Sequence, residues 1–289
     1  MYDSIIIGAG PAGISASIYA KRAGLKVAVF YHGEAQIEKA HKIDNYYGFE
    51  NGITGKDLYE AGIKQAKNLE IDVFEEEVLD IQMKDINLYS VKTTNNEYET
   101  KSLVFATGDK KIRPNIKGIE EFEGKGISYC AICDGFFYKN KNVAVIGNGN
   151  YAISEAEDLE NVAAKLTILT NGLESPDTDK FEINTKAIKE IKGENKVQEI
   201  VFEDDSSIEI DGLFIAIGVA GGSDFAKKLG VMANGDSIEV DKDMKTNVPG
   251  IFACGNLTGG LLQVNKAAYE GAKAGLSVFE FIRNLKEGE

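Results

Sequence analysis

Asp3-Ser4-Ile5-Ile6-Ile7-Gly8-Ala9-Gly10-Pro11-Ala12-Gly13 is the stretch that decides the fold of this chain. The unbroken apolar run ending at Ile7 has the pattern of a parallel strand buried on both faces. Pro11 to Ala23 then reads as a helix, with Pro in its first turn and Gly24 at its end. Lys26 to Phe30 reads as a second strand. Strand, glycine turn, helix and strand form a βαβ unit, the building block of a parallel sheet covered by helices. Within it, Gly8, Gly10 and Gly13 give the pattern G-x-G-x-x-G. The first Gly makes the turn, the second lets backbone approach a pyrophosphate, and the third lets helix and strand pack closely. The helix N-terminus then offers N–H groups and a favourable dipole to phosphate oxygens. The acid expected at the end of the second strand is absent. Tyr31 and His32 stand there, and Glu34 comes later, so the ribose contact is left open.

Working outward, residues 31–55 are rich in loops, residues 56–70 look helical, and residues 71–105 alternate short β-patterns with polar turns. They end in Leu103-Val104-Phe105, followed by Ala106-Thr107-Gly108. From Asn142 the opening pattern returns. Val143 to Ile146 is a strand, Gly147-Asn148-Gly149-Asn150-Tyr151-Ala152 a second glycine turn, Ala152 to Leu159 a helix, and Lys165 to Leu169 a strand. The chain therefore reads as two copies of one nucleotide-binding fold. The second copy departs from the rule after its second strand. Thr170 to Asp179 holds no Lys or Arg but does hold Glu174, Asp177 and Asp179. An NADP site needs a cation for the 2′-phosphate, and carboxylates would repel it. The second copy reads as a nucleotide fold that has lost its ligand, with an NADH site as the alternative. Residues 197–217 are β-rich, 250–254 form a further strand, and 263–285 carry an apolar face of helical period.

The composition excludes several classes. The 289 residues include 32 Lys and Arg against 46 Asp and Glu, a net charge of −14. So acidic a chain is a poor nucleic-acid binder. A hydrophobic fraction of 43% with 27% charged residues is that of a globular chain. No apolar run approaches the ~18–20 residues of a membrane span, and no basic segment precedes the first apolar run as in a signal peptide. Three Cys and two His suffice for neither a disulfide framework nor a structural zinc site, so the expected setting is a reducing cytoplasm without a metal. Cys130-Ala131-Ile132-Cys133 reads as a redox dithiol, since two intervening residues keep the sulfurs in disulfide reach and pairing lowers one thiol pKa. Two structural thiols are the alternative. Asp134 follows directly and can exchange a proton as thiolate and thiol interconvert. Cys254, among small and apolar neighbours, reads as buried and inert, and His32 and His41 as surface residues.

Three stretches together resemble a known family. Gly8-Ala9-Gly10-Pro11-Ala12-Gly13, Cys130-Ala131-Ile132-Cys133-Asp134-Gly135-Phe136-Phe137-Tyr138 and Gly250-Ile251-Phe252-Ala253-Cys254-Gly255-Asn256 are similar to the low-molecular-weight thioredoxin reductases, in order along essentially the whole chain. The resemblance implies an α/β fold of two Rossmann-like domains of FAD/NAD(P)-binding type, the second inserted into the first. Residues 1–112 and 243–289 would bind FAD, and residues 113–242 would carry the dithiol. It implies that Cys133 faces the flavin, that Cys130 attacks the disulfide of thioredoxin, and that Asp134 is the acid–base group. Gly8, Gly10, Pro11, Ala12, Gly13, Gly33, Gln36, Asn45, Thr107, Gly108, Gly255, Asn256, Gln263 and Val264 fall at cofactor positions. Two departures stand out. The family ends its last FAD motif in Gly-Asp where this chain has Gly255-Asn256, and its NADPH-using members carry a His-Arg-Arg run where this chain has Thr170-Asn171-Gly172. The chain thus looks like the NADPH-independent branch, the ferredoxin-dependent flavin thioredoxin reductases, acting as a homodimer. The alternatives are an NAD(P)H-dependent disulfide reductase with an atypical pocket and a redox-sensing flavoprotein without catalysis. Ferredoxins are typically acidic, so docking needs a basic face, and Lys110, Lys111, Arg113 and Lys117 are the expected one.

Overall fold

The computed structural model describes residues 1–108, 114–129, 131–218, 221–234 and 237–287, with the side chains of Ile132 and Cys133 outside that description. The chain divides into two compact units, Met1–Lys110 with Gly221–Glu289, and Lys111–Ala220.

The first unit begins with β1 (Ser4–Ile7), α1 (Pro11–Arg22), β2 (Val27–Tyr31), α2 (Gly55–Asn68) and β3 (Asp72–Glu75). An antiparallel trio follows, β4 (Val78–Asp85), β5 (Leu88–Thr93) and β6 (Glu97–Thr100), and then β7 (Leu103–Phe105). The second unit holds α3 (Ile119–Phe122), β8 (Ile127–Ser128), α4 (Ala131–Asp134), β9 (Asn142–Ile146), α5 (Asn150–Leu159), β10 (Lys165–Leu169) and β11 (Glu182–Asn184). It continues through a second antiparallel trio, β12 (Ile188–Gly193), β13 (Val197–Phe202) and β14 (Ser207–Glu209), to β15 (Gly212–Ile215). The chain then returns to the first unit with α6 (Gly222–Lys228), β16 (Ala233–Asn234), β17 (Ser237–Ile238), β18 (Ile251–Ala253) and α7 (Val264–Glu287).

Each unit is built on a five-stranded parallel sheet. The order is β18-β7-β1-β2-β3 in the first and β11-β10-β9-β15-β8 in the second. The order reverses beside β1 and beside β9, and ligand crevices form at the carboxyl ends of strands at such switch points. All four residues of β1 are buried, as the apolar run requires. Helix α7 lies against α1 along a stripe of small residues. A Cβ on Gly271 would stand 2.1 Å from Ala12 O, and one on Gly275 would stand 2.4 Å from Ala16 O. The last helix thereby packs backbone to backbone on the helix that opens at the first glycine loop.

Residues 221–242, which the sequence reading kept in the inserted domain, pack with the first unit. The Gly222 N–H donates to Thr107 Oγ1 at 2.9 Å, and the Met232 N–H donates to Asn247 Oδ1 at 2.7 Å. Among the described residues no helix is long and apolar enough to cross a membrane.

Candidate functional site

The first glycine loop sits at the carboxyl end of β1. Gly8 has φ +109°, and a Cβ there would lie 2.3 Å from Ala106 O at the end of β7. A Cβ on Gly13 would lie 1.8 Å from Gly8 O, so strand and helix touch at this point. Gly10 is different, because nothing lies within 4 Å of the place its Cβ would take. Gly10 is also the N-cap of α1. It brings no side-chain cap, Pro11 has no N–H, and the first turn contains no acid. This arrangement leaves open space against an uncapped helix N-terminus, which suits a pyrophosphate. Gly255 (φ +78°) comes against the same end, and its Cβ would stand 2.8 Å from that of Ala12.

Asn45 and Gln263, 218 positions apart, are brought together. Asn45 Nδ2 donates to Gln263 Oε1 at 2.9 Å, and Asn265 Nδ2 donates to Asn45 O at 3.3 Å. Val264 begins α7 directly after Gln263. Gly33 (φ +67°) and Gln36 lie exposed on the loop after β2, which the Glu38 carboxylate braces by accepting from the Ala35 N–H at 2.7 Å. Thr107 Oγ1 accepts from the Gly222 N–H, and Gly108 follows in open space at φ +81°. At the end of β2, Tyr31 pairs in register with Glu75 of β3. Burial first, and Glu75 second, raise the Tyr31 phenol above its usual range. An acid therefore does stand at this strand end, although a neighbouring strand supplies it.

Cys130 and the side chain of Cys133, in the second unit, lie outside the described residues, and so do Lys110, Lys111 and Arg113. The neighbours of the cysteines along the chain are described. Ser128 Oγ donates to Asp134 Oδ2 at 2.6 Å, and the Ala131 N–H donates to Glu155 Oε2 at 2.6 Å. Phe136 and Phe137 project into solvent at 78% and 67% exposure. Lys117, the described member of the expected basic face, pairs with Glu190 at 2.7 Å. Cys254 is fully buried, and burial pushes its thiol up, so it is inert. His32 and His41 are exposed.

The family model for pyridine nucleotide-disulphide oxidoreductases matches residues 2–175 and 179–271. A thioredoxin reductase of Aquifex aeolicus is 35% identical, over 99% of this chain and 95% of that protein. The atypical thioredoxin reductase of Desulfovibrio vulgaris Hildenborough superposes with a TM-score of 0.91 at 36% identity, covering 98% of this chain and 99% of the other. A ferredoxin-flavin thioredoxin reductase of Clostridium acetobutylicum gives a TM-score of 0.71 at 32% identity, covering 98% of each chain. The chain belongs to the low-molecular-weight thioredoxin reductase family. It is a thioredoxin reductase, a flavoprotein disulfide reductase whose cofactor is FAD.

This thioredoxin reductase organises its Gly255-Asn256 loop with residues that sequence reasoning missed. Glu270 Oε2 accepts from the Gly255 N–H at 2.9 Å and lies 2.9 Å from Thr258 Oγ1. Lys266 Nζ bonds Gly255 O at 2.8 Å and Gly259 O, and lies 3.0 Å from Glu270. In the sequence the two are an ordinary i,i+4 pair, and the sole clue is a lysine early in a helix whose inner face is small.

The second glycine loop of this reductase keeps the packing of the first. A Cβ on Gly147 would meet Ala216 O at 2.1 Å and the Ala152 Cβ at 2.8 Å. The strand end is another matter. Thr170 is buried and its Oγ1 donates to Leu173 O at 2.7 Å. Asn171 Oδ1 accepts from the Ile188 N–H at 2.8 Å, and the Gly172 N–H donates to Thr185 O at 3.1 Å. Glu174, Asp177 and Asp179 are exposed beyond it. Lys180 pairs with Glu160 at 2.8 Å, and Lys186 pairs with Asp204 at 2.7 Å.

Proposed function

We propose that this thioredoxin reductase takes electrons from reduced ferredoxin and passes them through FAD and the Cys130/Cys133 dithiol to thioredoxin. The loop after β10 carries the choice of donor. Its Thr170 and Asn171 side chains bond to backbone of the loop and of β12, its neighbouring lysines are paired with acids, and its exposed charges are carboxylates. A 2′-phosphate there would meet repulsion instead of a cation. The likeness to a reductase named for ferredoxin and flavin supports the same donor class.

The residues divide the work. The Gly10 loop and the N-terminus of α1 hold the pyrophosphate, while Asn45, Gln263 and the start of α7 stand at the flavin. Bound FAD supplies a centre that accepts electrons singly and delivers them in pairs, as a dithiol requires. The Cys130 thiolate attacks one sulfur of the thioredoxin disulfide. That S–S bond breaks, and the leaving thiolate takes a proton from Asp134. Cys133 then attacks Cys130 in the mixed disulfide. Reduced thioredoxin leaves, and two electrons with two protons return the Cys130–Cys133 disulfide to the dithiol. The exposed Phe136 and Phe137 offer the acceptor an apolar surface beside the cysteines.

A second reading, an NADH-dependent reductase, is favoured by Gly149. That residue caps α5 without a side-chain cap, with no acid in the first turn and only Gly218 O, at 3.7 Å, near its Cβ position. Anaerobic titration of the flavin absorbance decides between them. Reduced ferredoxin is expected to bleach it while NADH and NADPH leave it unchanged, and turnover with either nucleotide at an ordinary enzyme rate refutes the ferredoxin reading. Cys133→Ser is expected to stop thioredoxin reduction with FAD still bound, and light scattering tests the homodimer that the resemblance implies.

A further inference from the structure

Helix α5 opens on the second glycine loop, where a nucleotide would be held, yet side chains of its first two turns serve the dithiol segment. Tyr151 and Glu155 stand four residues apart on one face. Tyr151 Oη donates to Tyr129 O at 3.4 Å, and Glu155 Oε2 accepts from the Ala131 N–H at 2.6 Å. Both residues are buried, Glu155 to 1% exposure. Tyr129 C=O and Ala131 N–H belong to the two peptide groups on either side of Cys130 in the chain. A peptide group is planar, so anchoring one atom of each restrains the residue between them. The bond from Ser128 to Asp134 ties the end of β8 to the residue after Cys133.

We infer that Glu155, seconded by Tyr151, is a positioning residue for the dithiol, and that the helix of the second glycine loop braces the peptide groups on either side of Cys130. Backbone braced on both sides of Cys130 leaves the reduced pair less freedom to lose on closing, so the disulfide is favoured and the dithiol is the stronger reductant. Glu155 also occupies the Ala131 N–H, which keeps that donor from a thiolate it would stabilise. Both effects push the pair the same way. The inference rests on the dithiol reading above, and the test separates the two.

The holoenzyme is equilibrated with glutathione, trapped by alkylation and read by mass. In this exchange the protein disulfide and two glutathione thiols become the protein dithiol and glutathione disulfide, so neither ferredoxin nor thioredoxin is needed. Glu155→Ala is expected to shift the equilibrium toward the dithiol by about tenfold, the worth of one charge-assisted hydrogen bond. Glu155→Gln keeps an acceptor for Ala131 and is expected to stay within about threefold of the parent. Tyr151→Phe removes one hydroxyl at the end of a long bond and is expected to shift the pair the same way by about two- to threefold. The flavin spectrum reports that each variant is folded. An unchanged Glu155→Ala, a shift toward the disulfide, or a Glu155→Gln that behaves like Glu155→Ala overturns the inference. Should Glu155→Ala not fold, an unmoved Tyr151→Phe overturns it. A parent chain that never forms the disulfide overturns the dithiol reading itself.

Discussion

Lys266→Met should loosen the Gly255–Thr258 turn and weaken the hold on FAD. The ammonium bonds two backbone carbonyls and sits 3.0 Å from Glu270, with the two side chains only 15% and 12% exposed. Removing it leaves the Glu270 carboxylate, still bound to the Gly255 N–H, as a mostly buried charge without its counter-ion. Breaking a fully buried pair in this way costs roughly 3–5 kcal/mol. Water still reaches these two groups in part, so the expected loss is about 2–3 kcal/mol. In a unit of this size that lowers the melting temperature by about 5–10 °C. Adding Glu270→Gln removes the stranded charge, so the double variant should be more stable than Lys266→Met alone. The assay is thermal unfolding of holo- and FAD-free protein, with FAD release followed by its fluorescence. A Lys266→Met melting point within 1 °C of the parent, or a double variant whose losses simply add, refutes the argument.

Three further outcomes are expected. Gly10→Ala places a methyl in open space, so the FAD-free protein should unfold at the parent temperature while FAD affinity falls at least tenfold by equilibrium dialysis. Gly271→Ala drives a methyl to within 2.1 Å of Ala12 O and must part α7 from α1, at a cost of about 1–3 kcal/mol in urea unfolding. In a Cys130→Ser/Cys133→Ser background, iodoacetamide should leave Cys254 unmodified until the chain unfolds. Burial holds its folded pKa above the ordinary 9.0, so stability should decline as pH rises past about 9, where only the unfolded thiol ionises.

The glycine loops were legible because their demands are local. Gly13 answers to the Gly8 carbonyl within one βαβ unit, and that need is written in consecutive residues, whereas the Ala106 carbonyl that Gly8 faces comes from the end of β7. The apolar face of residues 263–285 was legible for the same reason, since a helical period shows which side is buried. What could not be read depends on partners distant in sequence. Glu75 reaches Tyr31 through the register of β3 on β2, so the missing strand-end acid could not be found next to β2. Residues 221–242 join the first unit through bonds such as those of Gly222 to Thr107 and Met232 to Asn247, which leave no pattern in the sequence. Glu155 follows the second glycine motif where any helical residue could stand, and its bond to Ala131 crosses between elements.

The two glycine loops also show why a motif can outlive its ligand. Gly8 and Gly147 face carbonyls at the ends of neighbouring strands, at 2.3 and 2.1 Å, so each must be Gly for the strand ends to come this close, whether or not a nucleotide binds. Gly10 and Gly149 have no such duty. Nothing lies within 4 Å of one Cβ position, and only Gly218 O lies near the other, at 3.7 Å. Both have extended backbone, which alanine adopts without strain. Only a bound pyrophosphate would miss these two glycines. Gly149→Ala is therefore a sharp discriminator of donor, and Gly10→Ala is its matched control. If ferredoxin is the donor, Gly149→Ala should reduce thioredoxin at the parent rate, while Gly10→Ala loses activity with its FAD. If a pyridine nucleotide is the donor, Gly149→Ala should raise the nucleotide KM at least tenfold, and that result would remove the ground for the ferredoxin reading.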